Sequence, residues 1–348
     1  MKRTMTTALQ VAALATGLGL ASLVTPDAAK ADGNLTVYCS PQEEWCQLMV
    51  TEFQKATGIN VSMTRKSSGE TFAQVKAEAA NPKGDIWWGG TGDPHLQAAE
   101  EDLTVAYDSP MLKDLNDWAV SQHKLAGGKT VGIYMGALGF GYSADVLKEK
   151  GVEGPKCWAD LTKPEYKGEV QVANPNSSGT SYTFLATMIQ ILGEEEAFAY
   201  MKKLNENINQ YTKSGAAPSQ AASRGETLIG ITFQHDLVTP AVTSGVPMVV
   251  VSPCEGTGFE VGSMSIIKGA PNLENAKIWY DWALSPEAQA LGAQANSFQV
   301  PSNKNAPIPE AAPKMSDIKL IDYDFAKFGS SDERKRLLSR WDKEIGAQ

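Results

Sequence analysis

Apolar and polar positions switch between two periods along the first third of the chain. Residues 35–39 (LTVYC) form a short apolar run of strand type. Residues 43–57 follow with helical spacing, and Gly58 stands where a helix C-cap belongs. Residues 59–64 (INVSMT) alternate like a strand, 71–80 read as a helix stopped before Pro82, and 85–88 (DIWW) as another strand. This succession predicts an α/β domain with a largely parallel sheet. The alternation returns in the middle of the chain, with a strand at 169–173, a polar loop at 174–181, helices at 182–192 and 194–206, and strands at 227–233 and 247–251. Between the two patterns lies an extended Gly- and aromatic-rich segment, 130–143, and 262–267 reads as a second extended crossing. Residues 273–348 are mostly helical in pattern. In such sheets ligands collect at loops beyond the strands' carboxyl ends. In the first domain these are Ser40-Pro41 and the loops 66–69 and 89–93.

The chain opens with Lys2 and Arg3, an uncharged apolar run over 8–24, and Ala29-Lys30-Ala31. That order predicts a secretory signal peptide over 1–31 and a periplasmic protein beginning near Asp32. The remaining 317 residues exceed one ordinary core, so two domains are expected. They carry 28 basic and 39 acidic residues, a balance of −11. A field of that sign excludes nucleic acid and anionic lipid as partners, and an anionic ligand must be held by local groups. Four cysteines, at 39, 46, 157 and 254, predict disulfides in an exported chain. Cys39 with Cys46 and Cys157 with Cys254 is one of three possible pairings. The cysteines lack zinc spacing, and no metal or cofactor is expected.

Taken in order, LTVYCSPQEEWCQLMVTEFQKATGINV, GDIWWGGTGD, GIYMGALGFGYSADVL, NPNSSGTSYT, SPCEGTGFEVGSMSIIKGAPN and ALSPEAQ cover nearly the whole mature chain. In this order they resemble solute-binding proteins of ATP-driven importers, in the group of ferric-iron, phosphonate and sugar-phosphate binders. The resemblance implies a type II periplasmic binding protein: two Rossmann-like α/β lobes joined by crossing strands, with ligand held between them. Lobe 1 is expected to take 32–134 plus about 263–348, and lobe 2 135–262. It also implies a monomeric carrier that delivers a small anionic solute to an inner-membrane ABC permease.

Ser178, Gly179 and Thr180 belong to a run of hydroxyl residues between a strand and a helix, where free backbone N–H groups form an anion site. Capping alone needs one such residue. Ser214 lies in a similar loop. Ser40, Ser68 and Thr91 stand after the strands of the first pattern and face it from the opposing lobe. In this family, short serine-containing loops of this kind hold phosphate or phosphonate oxygens. The FQHD segment contributes His235 and Asp236. Iron-binding relatives place adjacent tyrosines in this region, and their absence counts against ferric iron, which wants anionic oxygen donors. Sugar-phosphate-binding relatives use a His-Asp pair with an acidic residue, here Glu255 or Glu260. Glu255 is preferred because it precedes a flexible Gly256-Thr257-Gly258 loop. Trp88, bordering the glycine loop, is the best aromatic candidate for stacking on a sugar face.

A small phosphorylated solute, a sugar phosphate above all, is therefore the expected ligand, with 2-aminoethylphosphonate and ferric iron as alternatives. An exported hydrolase would need a nucleophile, a base and usually a metal. There is no G-x-S-x-G elbow, HExxH or Asp-rich cluster, so no catalytic residue is assigned. An adhesion or structural role would need repeats or a large apolar surface pattern, and neither occurs.

Overall fold

The computed structural model describes residues 33–346. The signal-peptide expectation over 1–31 lies outside the described residues. The strands in chain order are β1 (Asn34–Cys39), β2 (Asn60–Arg65), β3 (Ile86–Trp88), β4 (Thr104–Val105), β5 (Val131–Ser143) and β6 (Val170–Ala173). They continue with β7 (Ile208–Thr212), β8 (Ile229–Phe233), β9 (Met248–Val251), β10 (Phe259–Ile267) and β11 (Val300–Pro301). The main path runs β2-β1-β3-β10-β5-β8-β6-β7. β1 pairs parallel with β2 and β3, and β6 pairs parallel with β7 and β8. Helices return the chain between these parallel neighbours, as parallel connections require.

β5 is the element that joins the two halves. Its first part, Val131 to Ala137, pairs antiparallel with β10, and Leu138 to Gly141 pair with β8. Val131, Ile133 and Tyr134 enter a core with Val37, Phe53, Trp88 and Trp279. Leu138 and Phe140 enter a second core with Trp158, Tyr182, Phe198 and Trp341. One strand thus serves two lobes.

The first helix shows why the local pattern folds this way. Trp45, Cys46, Met49 and Phe53 place one face of Glu43–Thr57 in the core. Gly58 ends it at φ +83°, donating its N–H to the Gln54 carbonyl at 2.9 Å, a conformation without penalty for glycine. Cys39–Cys46 ties the end of β1 to this helix, and Cys157–Cys254 closes a separation of 97 residues. Among the described residues no helix is long and apolar enough to cross a membrane.

The C-terminal region packs on both cores, with Trp279, Tyr280 and Leu284 in the first. Asn303 is still held there, donating from Nδ2 to the Leu284 carbonyl at 2.8 Å. By Lys319, whose carbonyl accepts from the Thr257 N–H at 2.9 Å, the chain has returned to the other side. Tyr323, Phe328, Leu337, Trp341 and Ile345 complete the second core. The helix Ser331–Trp341 has only a narrow apolar stripe. Arg336 and Arg340 direct it by bonding Glu194 and Glu195 of the second lobe.

Candidate functional site

Strand ends and helix starts converge between the two cores. Beyond β1, Ser40 to Gln42 lead into the helix Glu43–Thr57, and beyond β2, Ser67 leads into Ser68–Ala77. Beyond β3, Gly90 and Thr91 lead into Gly92–Glu100. From the other lobe, Ser178 precedes Gly179–Leu192, and Phe233 precedes Gln234–Ser244. Residues from all five starts, with Gly215 and Ala216, line one cavity of about 430 Å³ including its open mouth. Each start presents N–H groups without intrahelical partners and the positive end of a helix dipole.

The lobes touch around this cavity. Gly69 donates its N–H to the Ser177 carbonyl at 3.1 Å. Ser67 Oγ donates to the Lys213 carbonyl at 3.1 Å, and Gln42 Nε2 donates to Asp236 Oδ1. Gly179 packs so closely on Thr91 that a Cβ there would lie 1.8 Å from Thr91 Oγ1. Thr91 Oγ1 is buried and has no hydrogen-bond partner.

The cavity lining combines hydroxyl groups with titratable side chains. Ser40, Ser68, Thr91, Ser178 and Thr180 supply the hydroxyls. Ser40 Oγ accepts from Trp87 Nε1 at 3.0 Å, and Ser68 Oγ accepts from the Thr91 N–H at 3.2 Å. His235, Asp236 and Glu260 line the same cavity. His235 Nε2 lies 3.8 Å from both Asp236 Oδ2 and Glu260 Oε1. Gly136 in β5 makes room for the imidazole, since a Cβ there would stand 2.4 Å from its Nδ1. Burial holds His235 below its ordinary pKa, against the opposing pull of Asp236. Burial, reinforced by Asp236 and Asp93, pushes the Glu260 carboxyl well above its usual range. A neutral imidazole beside carboxyl groups can both donate to and accept from ligand hydroxyls.

Of the sequence candidates, Ser40, Ser68, Thr91, Ser178, Gly179, Thr180, His235 and Asp236 are brought to this cavity, and three are not. Trp88 is a core residue, meeting Trp45 edge to face at 5.0 Å. Glu255 accepts the N–H groups of Trp158 and Ala159 at 2.8 and 2.9 Å, capping a short helix away from the cavity, while Glu260 takes the acidic position. Ser214 is half-buried with its carbonyl bound to Thr212 Oγ1, and Gly215 and Ala216 line the cavity in its place. Gln42, Arg65, Tyr134 and Gln299 are lining residues that no sequence motif singled out.

Behind this wall Asp93 occupies the first turn of Gly92–Glu100, buried near Tyr323 and Arg334 of the second lobe. Burial raises its pKa from 3.8 to about 6, with Arg334 and Tyr323 opposing the rise. The folded chain therefore holds this proton more tightly than the unfolded chain, and the group adds stability as pH falls through about 6 towards 4. Relative to Asp93→Asn, the wild type is expected to gain about 1.4 kcal/mol between pH 7.5 and pH 5. Denaturant unfolding of both proteins at the two pH values measures this, and parallel pH dependences would refute it.

Comparison with known proteins follows the same lines. The sequence profile of the family described as bacterial extracellular solute-binding protein matches residues 82–328. An uncharacterized protein of Haemophilus influenzae is 44% identical over 95% of this chain and 96% of its own length. The solved structure of the periplasmic binding protein AfuA from Actinobacillus pleuropneumoniae, with exogenous fructose 6-phosphate bound, superposes with a TM-score of 0.87. It is 44% identical, covering 91% of this chain and 99% of that one. Iron-bound HitA from Pseudomonas aeruginosa shares the fold, at a TM-score of 0.74 and 19% identity, over 88% of this chain and 98% of that one.

Proposed function

We propose, from the premise that this chain belongs to the bacterial extracellular solute-binding protein family, that the solute it captures is a sugar phosphate. The chain is a periplasmic solute-binding protein of an ABC transporter, as its family and relatives indicate. The observation that carries the ligand reading is the mixed lining of one cavity. Helix starts rich in hydroxyls suit a phosphate group, and His235, Asp236 and Glu260 in the same lining suit the hydroxyls of a sugar. The bound fructose 6-phosphate of AfuA supports the same chemistry. Ligand touching both lobes favours the closed state and gives the permease a conformation to read. The protein is a carrier in this reading, exported to the periplasm, and performs no chemistry on its ligand.

Ferric iron fits less well. Among the lining residues Tyr134 is the single tyrosine, its hydroxyl accepting from the Gly90 N–H at 2.7 Å, where iron would want several anionic oxygen donors. 2-Aminoethylphosphonate is the second reading, since Asp236 would pair with its ammonium group.

Isothermal titration with fructose 6-phosphate and fructose tests the proposal. Two or three charge-assisted hydrogen bonds, at about 1.5–3 kcal/mol each, correspond to a preference of roughly a thousandfold for the phosphate. Equal affinity for both sugars, or binding of neither, would overturn it. Tighter binding of 2-aminoethylphosphonate would favour the second reading.

A further inference from the structure

One charged residue of the cavity wall has no counterpart among the serine loops. Arg65 is the last residue of β2, half-buried at the cavity's edge. Its Nε donates to the Pro41 carbonyl at 2.8 Å, which fixes the plane of the guanidinium. Among the described residues no hydrogen bond or ion pair occupies its two terminal nitrogens, leaving four N–H donors for another group. It lines the same cavity as the buried Tyr134 phenol. Among the described residues that line the cavity, Arg65 is the only lysine or arginine.

The rest of the wall makes that charge consequential. Asp236 accepts from Gln42 Nε2 and, at 3.0 Å, from Thr232 Oγ1, while Glu260 stands nearby and His235 is held towards its neutral form. Hydroxyl and backbone N–H donors bond any tetrahedral oxyanion in much the same way. They distinguish poorly between one negative charge and two. A guanidinium distinguishes them by Coulomb attraction and can bond two oxygens at once.

Resting on the sugar-phosphate reading, we propose that Arg65 sets the charge selectivity of the site, favouring a dianionic phosphate monoester over a monoanionic ester of the same shape. A phosphate monoester carries nearly two negative charges at neutral pH, its second pKa being about 6. The corresponding sulfate ester carries one charge on a similar tetrahedral group.

The test is isothermal titration of glucose 6-phosphate and glucose 6-sulfate into wild type, Arg65→Met and Arg65→Lys at pH 7.5. Wild type is expected to prefer the phosphate by about 30-fold, and Arg65→Met by only about 3-fold. Arg65→Lys restores part of the preference, because it keeps the charge and loses the fork. Lowering the pH from 7.5 to 5 weakens phosphate binding more in wild type than in Arg65→Met. The ratio of the two esters separates charge reading from mere support of the loop, which would shift both affinities together. An Arg65→Met protein with an undiminished preference, or a wild type that binds both esters equally, overturns the proposal while leaving the sugar-phosphate reading intact. A wild type that binds neither ester overturns the proposal, and titration with fructose 6-phosphate then decides the sugar-phosphate reading: binding leaves it standing, and no binding overturns it as well.

Discussion

Replacing Gly179 by alanine is expected to weaken ligand binding by about a hundredfold and leave the unliganded protein folded. The added methyl would lie 1.8 Å from Thr91 Oγ1 and 2.9 Å from Thr91 Cβ. Rotation of the threonine moves its hydroxyl but not its Cβ, so the side chain cannot simply turn away. Relief requires the two lobes to separate, because Gly179 opens a helix of the second lobe and Thr91 precedes a helix of the first. Separation weakens three contacts across the cleft: Gly69 N–H to the Ser177 carbonyl, Ser67 Oγ to the Lys213 carbonyl, and Gln42 Nε2 to Asp236. At about 1 kcal/mol each they amount to roughly 3 kcal/mol, close to two decades of affinity. Alanine is a better helix former than glycine, so Gly179–Leu192 itself is not weakened. Titration with fructose 6-phosphate reads the loss, and small-angle scattering in its presence should report an open molecule. Wild-type affinity in a closed Gly179→Ala protein would show that the lobes need not approach this closely.

Much of the site was legible because its residues obey one rule of α/β sheets. Ser40, Ser68, Thr91, Ser178, His235 and Asp236 each follow a strand closely and stand at or near the start of a helix. The helix of the 174–192 region begins at Gly179, three residues earlier than its apolar pattern suggested, which makes the serine run a helix start. The same rule could have found Arg65, a charge ending an alternating strand. Tyr134 and Gln299 were beyond it. Tyr134 lies inside β5, and Gln299 precedes β11, whose pairing with β5 joins segments far apart in sequence. Glu260 lost to Glu255 because a glycine loop looks like a binding loop, whereas the side chain that faces the cavity comes from the crossing strand β10. The return of the C-terminal helix to the second lobe rests on Leu337, Trp341 and Ile345 in that core together with ion pairs to Glu194 and Glu195, and such long-range contacts leave no periodic mark.

Trp88 shows how a strand residue next to a binding loop can belong to the core, and its substitution separates the two roles. Trp87 and Trp88 alternate across the central strand β3, which lies between β1 and β10. Trp87 stacks on His95 at 3.7 Å on one face. Trp88 lies on the other, against Trp45 and Trp279, with 2% of its surface exposed. A central strand covered on both faces cannot turn either ring into the cleft without emptying a core. Trp88→Ala should therefore lower unfolding free energy by about 3–5 kcal/mol, the cost of lost burial plus a cavity too large to collapse. Ligand affinity of the folded fraction should change by no more than about threefold, since the Trp88 ring packs on Trp45 and Trp279 and does not line the cavity. Denaturant unfolding and titration on the same preparation decide the matter. A stable variant that no longer binds would return Trp88 to the ligand and take it out of the core.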